Sequence, residues 1–154
     1  MDAFNGGVTI RNSTISNNQA PNAGGISCAS ASFTLLGTTI TNNVAGSSGG
    51  GLATTADCAI TSTGSVLAGN LAPTAPDILP GAPVNSQGYN IVGIATNPLG
   101  TSGFDHQTDL VGQLGQVVQA QLGPLVYGEF LGFHRPLAGS PAIDAWPCEG
   151  LTDQ

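Results

Sequence analysis

The stretch "NSTISNN" occupies residues 12–18, and "GTTITNN" occupies residues 37–43, displaced by 25 positions. The second nearly copies the first, and almost no charge lies near either. A return of this kind, at a period of 20–50 residues, is the signature of a solenoid. Around it, Val8-Thr9-Ile10 aligns with Phe33-Thr34-Leu35 and then with Cys58-Ala59-Ile60. Ile15 aligns with Ile40, and with Leu67 after a two-residue insertion. Asn18, Asn43 and Asn70 form one column. Gly24-Gly25-Ile26, Gly50-Gly51-Leu52 and Pro76-Asp77-Ile78 form another. A fourth, weaker coil holds Val84 and Tyr89-Asn90-Ile91-Val92.

Each period carries three short strand signals. Alternation puts Val8 and Ile10, Phe33 and Leu35, Cys58 and Ile60 on one face. Ile15, Ile40 and Leu67 form a further core column. One such coil cannot bury its apolar face alone. Coils stacked ~4.8 Å apart pair each strand with its copies and close a continuous core. The expected fold is all-β: a right-handed parallel β-helix of three to four coils of about 25 residues, with an irregular C-terminal cap. Asn12, Asn18 and Asn43 fall at strand ends, where asparagine tolerates left-handed backbone angles. The Asn18, Asn43, Asn70 column is expected to form an amide ladder. Asn12-Ser13-Thr14 is also a glycosylation sequon.

Composition supports this architecture. The 154 residues hold 23 Gly, two Lys+Arg and nine Asp+Glu, with a net charge of −7. Charged residues are 7% and hydrophobic residues 40%, which fits neither disorder nor a helical bundle. Two cations cannot supply the basic footprint of a nucleic-acid binder or an anionic-lipid binder. No apolar run reaches the ~18 residues of a spanning helix, so no membrane insertion is expected. Cys28, Cys58 and Cys148 form no CxxC pair. They are read as buried or loop thiols, with one disulfide and a leftover thiol as the alternative.

The period fades after Gly93. Residues 1–93 are read as coils and 94–154 as cap and tail of the same domain. The apolar, glycine-interrupted stretch 109–133 is expected to hold a short helix near 113–122, or extended segments against the solenoid end. No cap precedes Val8, so the N-terminal end looks cut from a longer stack, with Met1 following no visible signal peptide.

The phrases "NSTISNN", "GGGL", "SQGYNIVG", "TDLVG", "LGPL" and "PLAGSPAIDA" resemble the terminal part of secreted bacterial right-handed β-helix repeat proteins. These have repeats like those of polymorphic outer-membrane proteins and a choice-of-anchor type C-terminal region. The resemblance spans about residues 8–153; "GYNIVG" followed by "GSPAIDA" is its most specific part. It implies an extracellular or cell-surface location and no single activity. One departure is the aromatic segment 126–133, where such proteins have a polar turn. Tyr127, Phe130 and Phe133 there are a possible contact surface.

Chemistry-bearing constellations are sparse. Asp57 and Asp77 lie in different strand columns and should not converge on a glycan. Asp105, His106 and Asp109 form the densest ionisable cluster, read as a loop with a capping Asp rather than a metal or acid–base site. His134-Arg135 is expected to hydrogen-bond the cap, and Asp144 to be half-buried with a structural partner such as Arg135. Thr39 and Thr41 begin a Thr ladder that fails one coil on, which weakens an ice-binding reading. No catalytic residue, metal ligand or cofactor is expected. The functional expectation is a structural adhesin, stalk or filament unit, self-associating by end-to-end stacking of coils. The alternative is a module that binds or cleaves a surface polysaccharide.

Overall fold

A computed structural model of the chain describes the backbone of residues 2–3 and residues 6–95, 102–129 and 131–145. The chain enters through β1 (Asp2–Ala3). The first circuit holds β2 (Gly7–Arg11), β3 (Thr14–Ser16), β4 (Gln19–Ala20) and β5 (Ile26–Cys28). The second holds β6 (Ser32–Leu36), β7 (Thr39–Thr41), β8 (Val44–Ala45) and β9 (Leu52–Thr54). The third holds β10 (Ala59–Thr63), β11 (Val66–Leu67) and β12 (Ile78–Leu79). A shorter circuit has β13 (Asn85–Ser86) and β14 (Ile91–Val92), and β15 (Leu110–Val111) adds one more strand on β14. Then β16 (Leu122–Tyr127) and β17 (Gly132–Pro136) form an antiparallel hairpin.

Like strands stack in parallel. The first sheet runs β1-β5-β9-β12, the second β2-β6-β10-β13 and the third β3-β7-β11-β14-β15. The protein is therefore a parallel β-solenoid of about three turns with a C-terminal hairpin. Inside, Ile26, Leu52 and Ile78 stack from the first sheet, and Ile40, Leu67 and Val92 from the third; all are buried. Each position is apolar because it stacks on its own copies and packs with the inward residues of the other sheets in one core.

The register moves one expected alignment. Phe33 faces Val8 on one side and Ile60, not Cys58, on the other; Leu35 faces Ile10 and Ser62. One of the two extra residues lies between β8 and β9, and the other just before β10, in a turn where Cys58 N donates to the Thr55 carbonyl. A two-residue slip preserves the inward face, so Ile60 stays inside. Cys58 is buried as well, in a disulfide with Cys28 across the first-to-second-sheet corner, Cα–Cα 6.0 Å. This corrects the thiol reading. A separation of 30 residues is one circuit plus a corner, which brings the two cysteines onto neighbouring coils. Cys148 lies outside the described residues.

The third sheet continues past residue 93, because β15 pairs with β14. Phe104 closes this end of the core and is buried against it. The described part of 113–122 forms no helix. Gln113 and Gln116 close a tight turn with Gly115 at φ 88°, and the chain enters β16 through Gln121 at φ 48°. The C-terminal region is thus mostly irregular up to Gln121 and then forms a hairpin whose register shifts between Leu122 and Leu125.

That hairpin lies along the solenoid, across the outer face of the third sheet. A second, smaller core joins Val66, Ala68 and Ile91 to Val118, Ala120, Leu122 and Ala142. Further along, Leu125, Tyr127 and Gly132 reach Thr14, Ile15 and Ser16 of the first circuit. Six extended residues span about 17–20 Å, enough to cross three steps of ~4.8 Å. His134 Nδ1 donates to the Gly123 carbonyl at 2.8 Å and links the hairpin strands. Ser140 Oγ donates to the Ala120 carbonyl and holds the returning chain.

Candidate functional site: the polar columns and the hairpin face

Two buried polar columns run the length of the solenoid, one at each end of the third sheet. Each is preceded by a column of left-handed residues that makes the corner. Asn12, Gly37, Gly64 and Tyr89 have φ of 47°, 56°, 54° and 59°; Asn17, Asn42 and Gly69 have 59°, 55° and 75°. Only glycine and asparagine adopt this region readily. The asparagine doublets therefore divide two tasks. The first residue turns the chain, and the second (Asn18, Asn43) supplies the amide.

The ladder is continuous and one-directional. Asn18 Nδ2 donates to Asn43 Oδ1 at 2.9 Å, Asn43 Nδ2 to Asn70 Oδ1 at 3.0 Å, and Asn70 Nδ2 to Asp77 Oδ1 at 2.9 Å. The same acceptors receive the backbone N–H groups of Asn18, Asn43 and Asn70. The second amide hydrogen of Asn43 goes to the Ile15 carbonyl, and that of Asn70 to the Ile40 carbonyl. Gly51 is glycine for this reason. A Cβ there would come within 2.7 Å of Asn70 Nδ2 and 2.5 Å of the Asp77 carbonyl oxygen.

Asp77 ends the ladder. It stands in the strand-column position of Gly25 and Gly51, while the next asparagine position holds Ala95. Its Oδ2 accepts the Ile94 N–H at 2.8 Å. Asp77 is 2% exposed, and burial raises its pKa above 3.8, opposed by the hydrogen bonds from Asn70 and Ile94. A native carboxyl with a raised pKa binds more protons than the unfolded chain just above pH 3.8. Stability is expected to fall as pH rises through that window, by at most ~1.4 kcal/mol per pH unit for one proton. Urea unfolding over a pH series should show this slope, and Asp77→Asn should remove it. A slope unchanged in Asp77→Asn would assign it to other groups.

The second column was not legible from sequence. It runs Ser13, Thr38, Ser65, Asn90, Asp109, each one residue before its third-sheet strand. Thr38 N donates to Ser65 Oγ, Ser65 N to Asn90 Oδ1 and Asn90 N to Asp109 Oδ1. Asn90 Nδ2 also bonds Asp109 Oδ1, and Ser86 Oγ donates to Oδ2. The side chains change along the column, so no repeated letter betrays it. The common feature is only polarity one residue before each strand.

Asp105, His106 and Asp109 have separate surroundings. Asp109 is engaged in the column, Asp105 is exposed, and His106 Nδ1 hydrogen-bonds Thr108 Oγ1 at 2.8 Å. Among the described residues, no three His, Cys, Asp or Glu side chains come together as a metal-binding group. Asp57 is exposed and far in sheet position from Asp77. Asp144 is exposed at φ 56°, not half-buried as expected, because its turn leaves the hairpin surface. Thr41 is buried and Thr39 partly buried beside the hairpin, so this threonine pair does not present an open flat face.

Tyr127 is 80% exposed and Leu131 70%. Phe133 is at the edge of exposure, with Arg135 stacked 5.6 Å from its ring centroid. Phe130 lies outside the described residues. No family model, no curated protein and no solved structure matches this chain.

Proposed function

We propose that the chain is a non-catalytic structural module, a stiff solenoid segment of a secreted or surface-exposed bacterial repeat protein. The observation that carries this reading is the commitment of the buried polar groups to the two columns. Asn43, Asn70, Asn90 and Asp77 are deep in the molecule, and each hydrogen-bonds a neighbouring coil. Buried polar networks that are fully satisfied rigidify a structure. The resemblance of "GYNIVG" and "GSPAIDA" to the terminal regions of secreted repeat proteins supports the location. So does the Cys28–Cys58 disulfide, a bond that persists in oxidising compartments.

The test has two parts. An antibody to the chain should label intact source cells or their medium, and recovery only after lysis would overturn the location. On a panel of uronic-acid polymers the chain should release no product. Turnover lost in Asp105→Ala would replace this reading with a polysaccharide-cleaving one.

A further inference from the structure

We infer that the N-terminal face of the solenoid is a docking surface for one more parallel coil, one that presents an amide N–H to Asn18 Oδ1. The inference concerns coil geometry and stands whether or not the structural-module reading does.

The ladder has a direction. From side chain to side chain, Asn18 donates to Asn43, Asn43 to Asn70 and Asn70 to Asp77, and among the described residues none donates to Asn18 Oδ1. The opposite end is closed. Both columns stop in carboxylates, Asp77 and Asp109, which accept and have no N–H to pass on. Phe104 covers the core there. Among the described residues, the two columns of a second copy arriving by its C-terminal end would offer Asn18 the carboxylate oxygens of Asp77 and Asp109 rather than an N–H.

The apolar residues show the same asymmetry. Val8 and Ile15 are only partly buried, while Phe33 and Ile40, their stacked counterparts, are fully buried. β1 already occupies the first sheet beside β5, so among the described residues the unpaired edges on this side are those of β2, β3 and β4.

The hairpin gives an independent measure. Tyr127 and Gly132 flank β3, and the Gly128 N–H bonds the Leu131 carbonyl one step further out. The described tip residues Gly128 and Leu131 therefore lie beyond the pair that flanks β3. The apolar side chains of Tyr127 and Leu131 are exposed there. A preceding coil would put its third-sheet strand under them, as β11 lies under Leu122.

The register fixes the experiment. Because Asp2 pairs with Ser27, a second copy of residues 7–25 joined ahead of Met1 supplies the missing strands and an asparagine in phase. Thermal unfolding and amide hydrogen exchange are measured on the native chain and this extended chain. A third chain carries Asn18→Leu in the added copy only. The added coil should raise the thermal midpoint by about 4 °C or more. It should also slow exchange about tenfold in peptides covering 14–16 and 126–133. The Asn18→Leu copy should lose most of both effects. An unchanged midpoint with an unprotected prefix would overturn the docking surface. Equal gains from both prefixes would overturn the role of the amide. Growth of the native chain into long species in concentration-dependent light scattering would overturn the polarity.

Discussion

Asn43→Ala is expected to destabilise the protein by about 3–5 kcal/mol, because it opens the ladder at its centre. Asn43 is 0% exposed. Its amide donates to Asn70 Oδ1 and the Ile15 carbonyl, and its Oδ1 accepts from Asn18 N and Nδ2. Alanine removes all four bonds, strands the Ile15 carbonyl away from water, and leaves a hole between coils. For a chain of this size the loss corresponds to a drop in thermal midpoint of about 8–15 °C. The informative comparison is Asn18→Ala. Asn18 makes the same kind of bonds but is exposed, so water replaces what is lost, and the cost should be about 1 kcal/mol or less. Urea unfolding of the two variants decides. Equal losses at the two sites would show that burial does not set the worth of the ladder, and a loss near zero at Asn43 would remove the ladder as a stabilising element.

Removal of the Cys28–Cys58 bond should have the next largest effect. The bond closes a loop of 30 residues, for which loop-closure entropy gives about 3–4 kcal/mol. Adding reductant to the native chain, or making Cys28→Ala with Cys58→Ala, should lower the thermal midpoint by roughly 7–14 °C. The double variant should be indifferent to reductant. Thiol titration of the unfolded native chain without reductant should find one thiol per chain, since three cysteines are present and two are paired. Three reactive thiols, or a midpoint insensitive to reductant, would contradict the bond. Asn43 and the disulfide sit at different corners, so their effects should add.

The solenoid was legible because its information is periodic. Ile15, Ile40 and Leu67 solve one packing problem three times, and repetition separates that signal from chance. Asn18, Asn43 and Asn70 carry the same periodicity in polar form. The Ser13 to Asp109 column escaped because hydroxyl, amide and carboxylate serve interchangeably as acceptors for a backbone N–H. Chemistry is shared there and letters are not. The position of the insertion before Ile60 escaped for another reason. Cys58 and Ile60 are both apolar and two residues apart, so either alignment satisfies the inward face. The disulfide needed that register, because only the stacked corners bring Cys28 to Cys58. The hairpin has no repeat at all. Its placement depends on the outward side chains Val66, Ala68 and Ile91, which look like ordinary strand residues until the covering layer is seen.

That hairpin has a consequence for how the molecule comes apart. A simple stack of coils touches only nearest neighbours, so its ends can peel away while the middle persists. Here one strand pair contacts the first circuit at Thr14 and the later circuits at Ala68 and Ile91. Detaching the terminal coil also disturbs a brace shared with the others. Unfolding should therefore follow a single transition by every probe, with the C-terminal sequence acting as the element that makes a string of repeats behave as one unit.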